Sequence, residues 1–335
     1  MRKDIGIGII GLGMGRNMLS INADRDSRLE VRAVCDTDEG LLEQVQRQHR
    51  IPFATADYGE LLARDDVAVV GIYTPDDLHM QHIEDSLMAG KHVICTKPMV
   101  VSRDQAQRVV DLVRRTGLKF LVGQTCRFVP QFMAAKKLYD EGDLGRPLFA
   151  EAEYVHDMRP VLDRTPWRWQ HPQDFMYGGA CHPIDLLRWF LGDVDEVFVY
   201  ASKSGIDSRY TLHDNFLISM RFRSGVIARL LAAYGLVEPP KPMLSLGIYG
   251  DKGSAFNDQV VLDKLEGKPA LKMDFGHEQG HGREVWRYMR HFEQCLTQDR
   301  RPLVDELEGA KVIATCSACW ESVRTGLPAK VDNDF

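Results

Sequence analysis

The chain is 335 residues long, 44% hydrophobic and 27% charged, which suits a soluble globular protein of two domains. Its net charge of −6 gives no electrostatic case for nucleic acid or an anionic membrane as a partner. No apolar run approaches the ~18 residues that a membrane span needs. Seven scattered cysteines do not read as a disulfide framework, and Cys316-Ser-Ala-Cys319 lies inside a helical pattern and reads as core thiols rather than as a metal or redox site. The first strand begins almost at the N-terminus, which leaves no room for a signal peptide, so a cytoplasmic protein is expected.

Asp4 to Ile10 is a short, Ile-rich run that reads as a buried strand. Gly11-Leu-Gly13-Met14-Gly15-Arg16 follows as a glycine-rich turn opening a helix, where backbone N–H groups can approach a pyrophosphate. Arg16 stands where G-x-G-x-x-G has its last glycine, and Gly15 is placed to take over the packing. The second strand, Leu29 to Cys35, ends on Asp36, about 20 residues beyond Gly13. An acid there accepts from a ribose 2′-OH and repels a 2′-phosphate, so NAD is expected in preference to NADP. Helices are predicted over 39–49, 57–63, 79–89 and 102–116, the last with a Ser102…Gln105 capping box, and strands over 53–55, 67–73, 92–95 and 119–122. Repeated strand–helix units predict a doubly wound parallel sheet over residues 1–123.

Near Gly123 the pattern changes. A helix over 130–141 and a strand over 148–154 lead into an irregular stretch rich in Pro, Trp and Arg, and helical periodicity returns over 179–190. Strands over 196–201, 216–222, 226–233 and 244–249 follow, with Phe222 to Val226 as a hairpin turn and Gly250 to Gly253 as a closing loop. Helices over 283–297 and 305–325 end the chain, the second opened by Asp305. Residues 124–335 thus predict an α+β domain on an open, largely antiparallel sheet, with the final helices free to pack back on the first domain. Such a sheet leaves one apolar face to cover, so a homodimer or homotetramer is expected.

Ligands of an open parallel sheet sit outside the carboxyl ends of its strands. Thr74-Pro75 and Thr96-Lys97-Pro98 end two of those strands. Lys97, stiffened by the proline after it, is a candidate for proton exchange. His182 and Asp185 lie three apart on a helix and share a face. Imidazole suits proton transfer near neutrality, with Asp185 orienting it or meeting the substrate, although a structural role for a helical histidine is equally open on spacing alone. Trp167-Arg168-Trp169 offers flat faces and hydrogen-bond donors that suit a polyol or sugar ring, against the plainer reading of a hydrophobic plug under a loop. Arg127 and His156-Asp157 are further rim candidates, whereas His213-Asp214 reads as turn chemistry.

Together these segments resemble the Gfo/Idh/MocA oxidoreductases, a family of sugar and cyclitol dehydrogenases. Gly8 to Gly13 is similar to the family's nucleotide turn, Ala33 to Asp36 to its second strand, and Thr74-Pro-Asp-Asp-Leu-His79 to its TP-x-x-x-H segment. Ala89 to Pro98 resembles the AGKHV…EKP run, Gly179 to Asp185 the H-x-x-D helix, and Tyr249 to Gly253 the YG-x-x-G turn. The resemblance implies a Rossmann domain, a C-terminal domain assembling through its sheet face, and NAD(H)-dependent oxidation or reduction of a secondary hydroxyl of a sugar, sugar derivative or cyclitol. It implies cofactor contacts from Gly11, Gly13, Met14, Gly15, Asp36, Thr74, Pro75, His79, Thr96 and Lys97. Catalysis is expected from Lys97, His182 and Asp185, and substrate contacts from Arg127, Trp167, Arg168, Asp174 and His182.

Two departures stand out. Thr96 replaces the glutamate of EKP, and Gly178 replaces an aspartate that many members carry four residues before the histidine, so Asp174 or Asp185 is the candidate to replace that acid. Two alternative functions follow: redox-neutral hydrolysis or epimerisation of glycosides at the same site, and a non-catalytic dinucleotide-binding regulator.

Overall fold

The computed structural model describes residues 3–265, 270–274 and 283–335. They form two compact units, one of Met1–Thr125, Gly280–Ala310 and Phe335, the other of Cys126–Gln279 and Lys311–Asp334.

The first unit is built on six parallel strands: β1 (Ile5–Ile10), β2 (Leu29–Cys35), β3 (Phe53–Thr55), β4 (Val69–Ile72), β5 (His92–Thr96) and β6 (Phe120–Gly123). Their order, β3-β2-β1-β4-β5-β6, reverses between β1 and β4, which opens a ligand crevice at the carboxyl ends of those strands. β1 and β4 are runs of Ile, Val and Gly because they are covered on both faces; every residue of β4 is buried. The helices α1 (Glu39–His49), α2 (Tyr58–Leu62), α3 (His79–Met88) and α4 (Arg103–Thr116) alternate with the strands. Side-chain caps start three of them: Asp38 accepts from Leu41 N, Asp57 from Gly59 N and Ser102 from Gln105 N. Gln105 Oε1 reaches back to Val101 N at 3.2 Å, which completes the capping box one residue early.

One expectation is corrected here. The glycine turn does not open an α-helix: Gly15–Ala23 is a 3₁₀ segment. The local side chains compete with α-helical bonding, since Ser20 Oγ donates to Asn17 O at 2.9 Å and Asn22 Oδ1 accepts from Val31 N at 2.8 Å.

The second unit carries nine strands among the described residues: β7 (Pro147–Val155), β8 (Val194–Ser202), β9 (Asn215–Phe222), β10 (Ile227–Ala233), β11 (Leu244–Gly250), β12 (Gly253–Phe256), β13 (Gln259–Leu262), β14 (Leu271–Lys272) and β15 (Ala329–Lys330). The order is β14-β13-β12-β11-β7-β10-β9-β8-β15, antiparallel except where β10 runs parallel to β7. Period-2 alternation explains the two faces: Phe216, Ile218, Met220 and Phe222 of β9 point inward, while Leu217, Ser219 and Arg221 are exposed. The helix α5 (Pro130–Asp140) precedes the sheet, and the irregular stretch after β7 holds two short helices, α6 (Arg159–Arg164) and α7 (Trp167–Gln170). The helix α8 (Cys181–Leu191) is buried along nearly its whole length against β7, β10 and β11. A π-turn at Met176–Ala180 leads into it, where the sequence predicts plain helix from Gly179.

Three histidines of the first unit are held in the neutral form. His92 Nδ1 accepts from Lys119 N at 3.0 Å, His291 Nε2 accepts from Leu303 N at 2.9 Å, and His82 Nδ1 lies 2.9 Å from Thr74 Oγ1. Burial lowers the pKa of all three below the ordinary value near 6.5. A depressed folded value contributes stability that is fully present above 6.5 and is lost as the pH falls through the folded values. The urea midpoint of the protein is therefore expected to fall between about pH 7.5 and pH 5, and replacing these histidines with glutamine is expected to flatten that slope.

Candidate active site

In the first unit, the glycine turn lies where the strand order reverses. Gly11 has φ +91°, and a Cβ there would meet Tyr73 O at 2.6 Å, so only glycine fits. Gly15 packs just as closely, 2.8 Å from Ile9 Cγ2 at the Cβ position, which is the packing role expected of it. Gly13 is different: a Cβ there meets nothing within 4 Å. Gly13 and Met14 are exposed at the tip, which leaves the backbone of the turn open to solvent. Asp36, directly after β2, binds this turn. Its Oδ2 accepts from Leu12 N at 2.6 Å and its Oδ1 from Asp38 N at 2.9 Å. A carboxylate fixed at that strand end fits a ribose hydroxyl.

Thr74, Pro75, Thr96 and Lys97 occupy the ends of the next two strands, all half-buried. His79 ties these ends together. Its Nδ1 lies 2.7 Å from Pro98 O and its Nε2 2.9 Å from Thr74 O, with no exposure of the ring. His79 is thus a strut between the two loops, at the start of α3.

In the second unit, α8 carries His182 and Asp185, with exposures of 3% and 0%. Asp185 is bound by Arg127, whose Nε and Nη2 donate to its two oxygens at 2.9 and 2.8 Å. Arg127 is 2% exposed and its guanidinium lies 5.8 Å from the Trp189 ring centroid. The candidate rim arginine is therefore part of a buried ion pair. His182 Nδ1 faces Cys126 Sγ at 3.4 Å, and the Tyr154 ring packs edge-on against the imidazole at 5.5 Å. Burial raises the Tyr154 phenol well above its ordinary value, so it stays a neutral hydroxyl.

Asp174 acts as a cap. Its Oδ1 accepts from Met176 N and its Oδ2 from Trp320 Nε1, both at 2.8 Å. At Gly178, a Cβ would lie 2.5 Å from Gln173 Cδ, so the Gln173 side chain fills the space beside that position. Arg168 stacks on Trp167 at 4.2 Å, and Arg209 stacks on Trp169 at 4.5 Å. Asp157 is held at about 2 by the Arg159 guanidinium beside it, and Asp214 accepts from Ser204 N in the turn expected there.

The structure thus joins His182, Cys126 and Tyr154 in one group, and Arg127 with Asp185 in an adjacent pair. Sequence reasoning missed Cys126, Tyr154 and Gln173. A buried thiol and a strand tyrosine carry no spacing signal, and only the glycine at 178 hinted that another side chain fills its place.

Comparison with known proteins agrees with this architecture. A family profile described as "Oxidoreductase family, NAD-binding Rossmann fold" matches residues 5–124, and one for the "GFO/IDH/MocA C-terminal domain" matches residues 132–256. The protein is an oxidoreductase with an NAD-binding Rossmann fold. It belongs to the Gfo/Idh/MocA family. It is 27% identical to an uncharacterized oxidoreductase, YrbE, of Bacillus subtilis (strain 168), over 99% of this chain and 98% of that protein. It is 29% identical to inositol 2-dehydrogenase of Salmonella typhimurium (strain LT2), over 65% of this chain and 64% of that enzyme. Among solved structures, levoglucosan dehydrogenase in complex with NADH and levoglucosan shares the fold with a TM-score of 0.89, at 20% identity, over 98% of this chain and 100% of that one.

The two glycines at the turn should separate by experiment. Gly11→Ala is expected to lower the melting temperature as well as weaken NAD binding, because its Cβ meets backbone at 2.6 Å. Gly13→Ala is expected to leave the melting temperature unchanged and to weaken NAD binding by tenfold or more, roughly the cost of one methyl against a bound pyrophosphate. Calorimetric titration and thermal melting of both variants check this.

Proposed function

We propose that the protein oxidises or reduces a secondary hydroxyl of a sugar, sugar derivative or cyclitol with NAD(H). The observation that carries this reading is His182. It is buried at the start of α8 beside a clamped ion pair, with its Nδ1 3.4 Å from the Cys126 sulfur, in a chain whose first unit is an NAD-binding fold. The relatives named for inositol and levoglucosan support the substrate class, and dehydrogenation in their names favours net hydride transfer over the redox-neutral and regulatory readings.

NAD, when bound, supplies the hydride acceptor or donor; Gly11, Gly13, Met14 and Gly15 would hold its phosphates and Asp36 its adenosine ribose. Thr74, Pro75, Thr96 and Lys97 would line the nicotinamide end, with His79 fixing the two loops that carry them. His182 takes the hydroxyl proton, and Lys97 offsets the charge that develops on that oxygen. Arg127 and Asp185 hold α8 in register, and Asp174 caps the segment leading to it. Trp167 and Arg168 offer a stacked face and donors to a sugar ring. Asp36 sets NAD above NADP, because a 2′-phosphate would meet its charge.

The decisive experiment measures NAD and NADP reduction over a panel of inositols, aldoses, anhydrosugars and sugar acids. Turnover with at least one polyol, at a higher kcat/KM with NAD, is the expected outcome; a protein that binds neither nicotinamide dinucleotide overturns the reading. On the active substrate, His182→Ala and Lys97→Ala should each lower kcat by about 10²–10⁴-fold, and the double variant by far less than the product.

The same reading makes the protein a cytoplasmic homodimer or homotetramer assembled through the outer face of its large sheet. That face exposes Tyr200 at 68%, Leu217 at 48% and Ile227 at 55%, apolar side chains that an interface would cover. Light scattering at micromolar concentration should return a multiple of 38.0 kDa, and a monomeric mass contradicts it.

A further inference from the structure

An imidazole that works as a base through Nε2 needs its one proton on Nδ1, and in water the other tautomer is preferred. Something has to hold the Nδ1 proton. A carboxylate is the strong choice for that task. On α8 the nearby carboxylate is Asp185, and both of its oxygens receive Arg127 donors. One helical turn before His182 stands Gly178, with Gln173 packed over the place its side chain would start. The Cys126 sulfur meets Nδ1 at 3.4 Å.

That contact is constrained from several sides. Cys126 and His182 are 2% and 3% exposed, and Arg127, next to Cys126 in the chain, grips Asp185, next on the same face of α8. The two segments are therefore in register at two adjacent points. Tyr154 stands edge-on to the ring at an interplanar angle of 84°, which opposes rotation of the imidazole about its own axis.

We propose that Cys126 is the positioning residue of His182: its sulfur accepts the Nδ1 proton, fixes the Nδ1–H tautomer and directs proton exchange to Nε2. The inference rests on the reading of His182 as the base. In the oxidative direction the hydroxyl proton passes to Nε2, and the Nδ1–H···Sγ bond is present before and after. No bond to sulfur forms or breaks. A thiol is a weaker acceptor than a carboxylate, and being neutral it adds no second anion to a buried site.

The test is a two-bond ¹H–¹⁵N correlation spectrum of the full chain labelled on histidine, at about pH 8, with the His182 signals identified by their loss in His182→Gln. The wild type is expected to show Nδ1–H. Cys126→Ala is expected to move the population to Nε2–H and to lower kcat roughly tenfold, about one hydrogen bond, with KM unchanged. Cys126→Ser, whose oxygen accepts the same proton, should restore both. Nε2–H in the wild type overturns the proposal, and so does Cys126→Ala with unchanged tautomer and kcat. Should Cys126→Ala fail to fold, the wild-type and Cys126→Ser spectra decide by themselves. If His182→Ala keeps turnover while the wild type shows a Cys126-dependent Nδ1–H, the base lies elsewhere and the positioning contact stands.

Discussion

Arg127 and Asp185 are both charged and both removed from water, at side-chain exposures of 3% and 0%, and two parallel hydrogen bonds join them. Desolvating each ion costs several kcal/mol, and the attraction between them offsets this only in such a geometry. Their net contribution to stability is therefore small. Their effect on arrangement is large, because losing either partner would strand a buried charge at a cost of about 3–5 kcal/mol. The segment 126–128 and the helix α8 are tied here and, one residue earlier, at Cys126 and His182, so His182 takes its surroundings from the tie. Trp189 covers the guanidinium and Tyr154 the imidazole, so the same contact keeps both groups dry.

A comparable constraint governs the nucleotide turn. Gly11 adopts φ +91° with the Tyr73 carbonyl against it, and Asp36 reaches across from β2 to the Leu12 N–H. The turn's shape is thus set from two neighbouring strands, β4 and β2. The carboxylate that would meet a ribose is thus the one that shapes the turn, since Asp36 accepts from both Leu12 N and Asp38 N. His79 does the same for the other loops of the crevice, where it binds one carbonyl after β4 and one after β5. Each loop that would touch the dinucleotide is anchored by a polar side chain on a rigid strand end or helix start.

Most of the first unit was legible in the sequence because its signals are local. Buried parallel strands are continuous apolar runs, and Asp38, Asp57 and Ser102 mark helix starts with their own side chains. Gly15–Ala23 departs from the α-helix that the glycine motif predicts, with Ser20 bonding back three residues to Asn17 O. In the second unit β9 and β10 alternate and β11 is a continuous buried run, whereas β12 to β15 are two to four residues long and carry too little pattern to detect. The site was legible as residue types and not as pairings. His182, Asp185 and Arg127 were all singled out, yet nothing in their spacing says that Arg127 faces Asp185, since 58 residues separate them. Cys126 stayed hidden for the same reason, and because a cysteine is ordinarily a small core residue.

Counting acids along the chain therefore misleads about what His182 needs. Thr96 and Gly178 look like losses when acids are expected at both positions. Around α8, though, one carboxylate already matches one guanidinium; Gln173 fills the space beside position 178, and Tyr234, with Tyr154 packed edge-on to it, stands against Gly179 next in the chain. Burial raises both phenols well above their ordinary range, so neither tyrosine carries charge there. A second carboxylate in that setting would cost several kcal/mol unless a new cation came with it. A thiol avoids that cost and still offers a lone pair to Nδ1, at a position where the ion pair beside it already fixes the backbone. The substitution of neutral for charged side chains in this chain is thus internally consistent: the ion pair supplies position, and the sulfur supplies orientation.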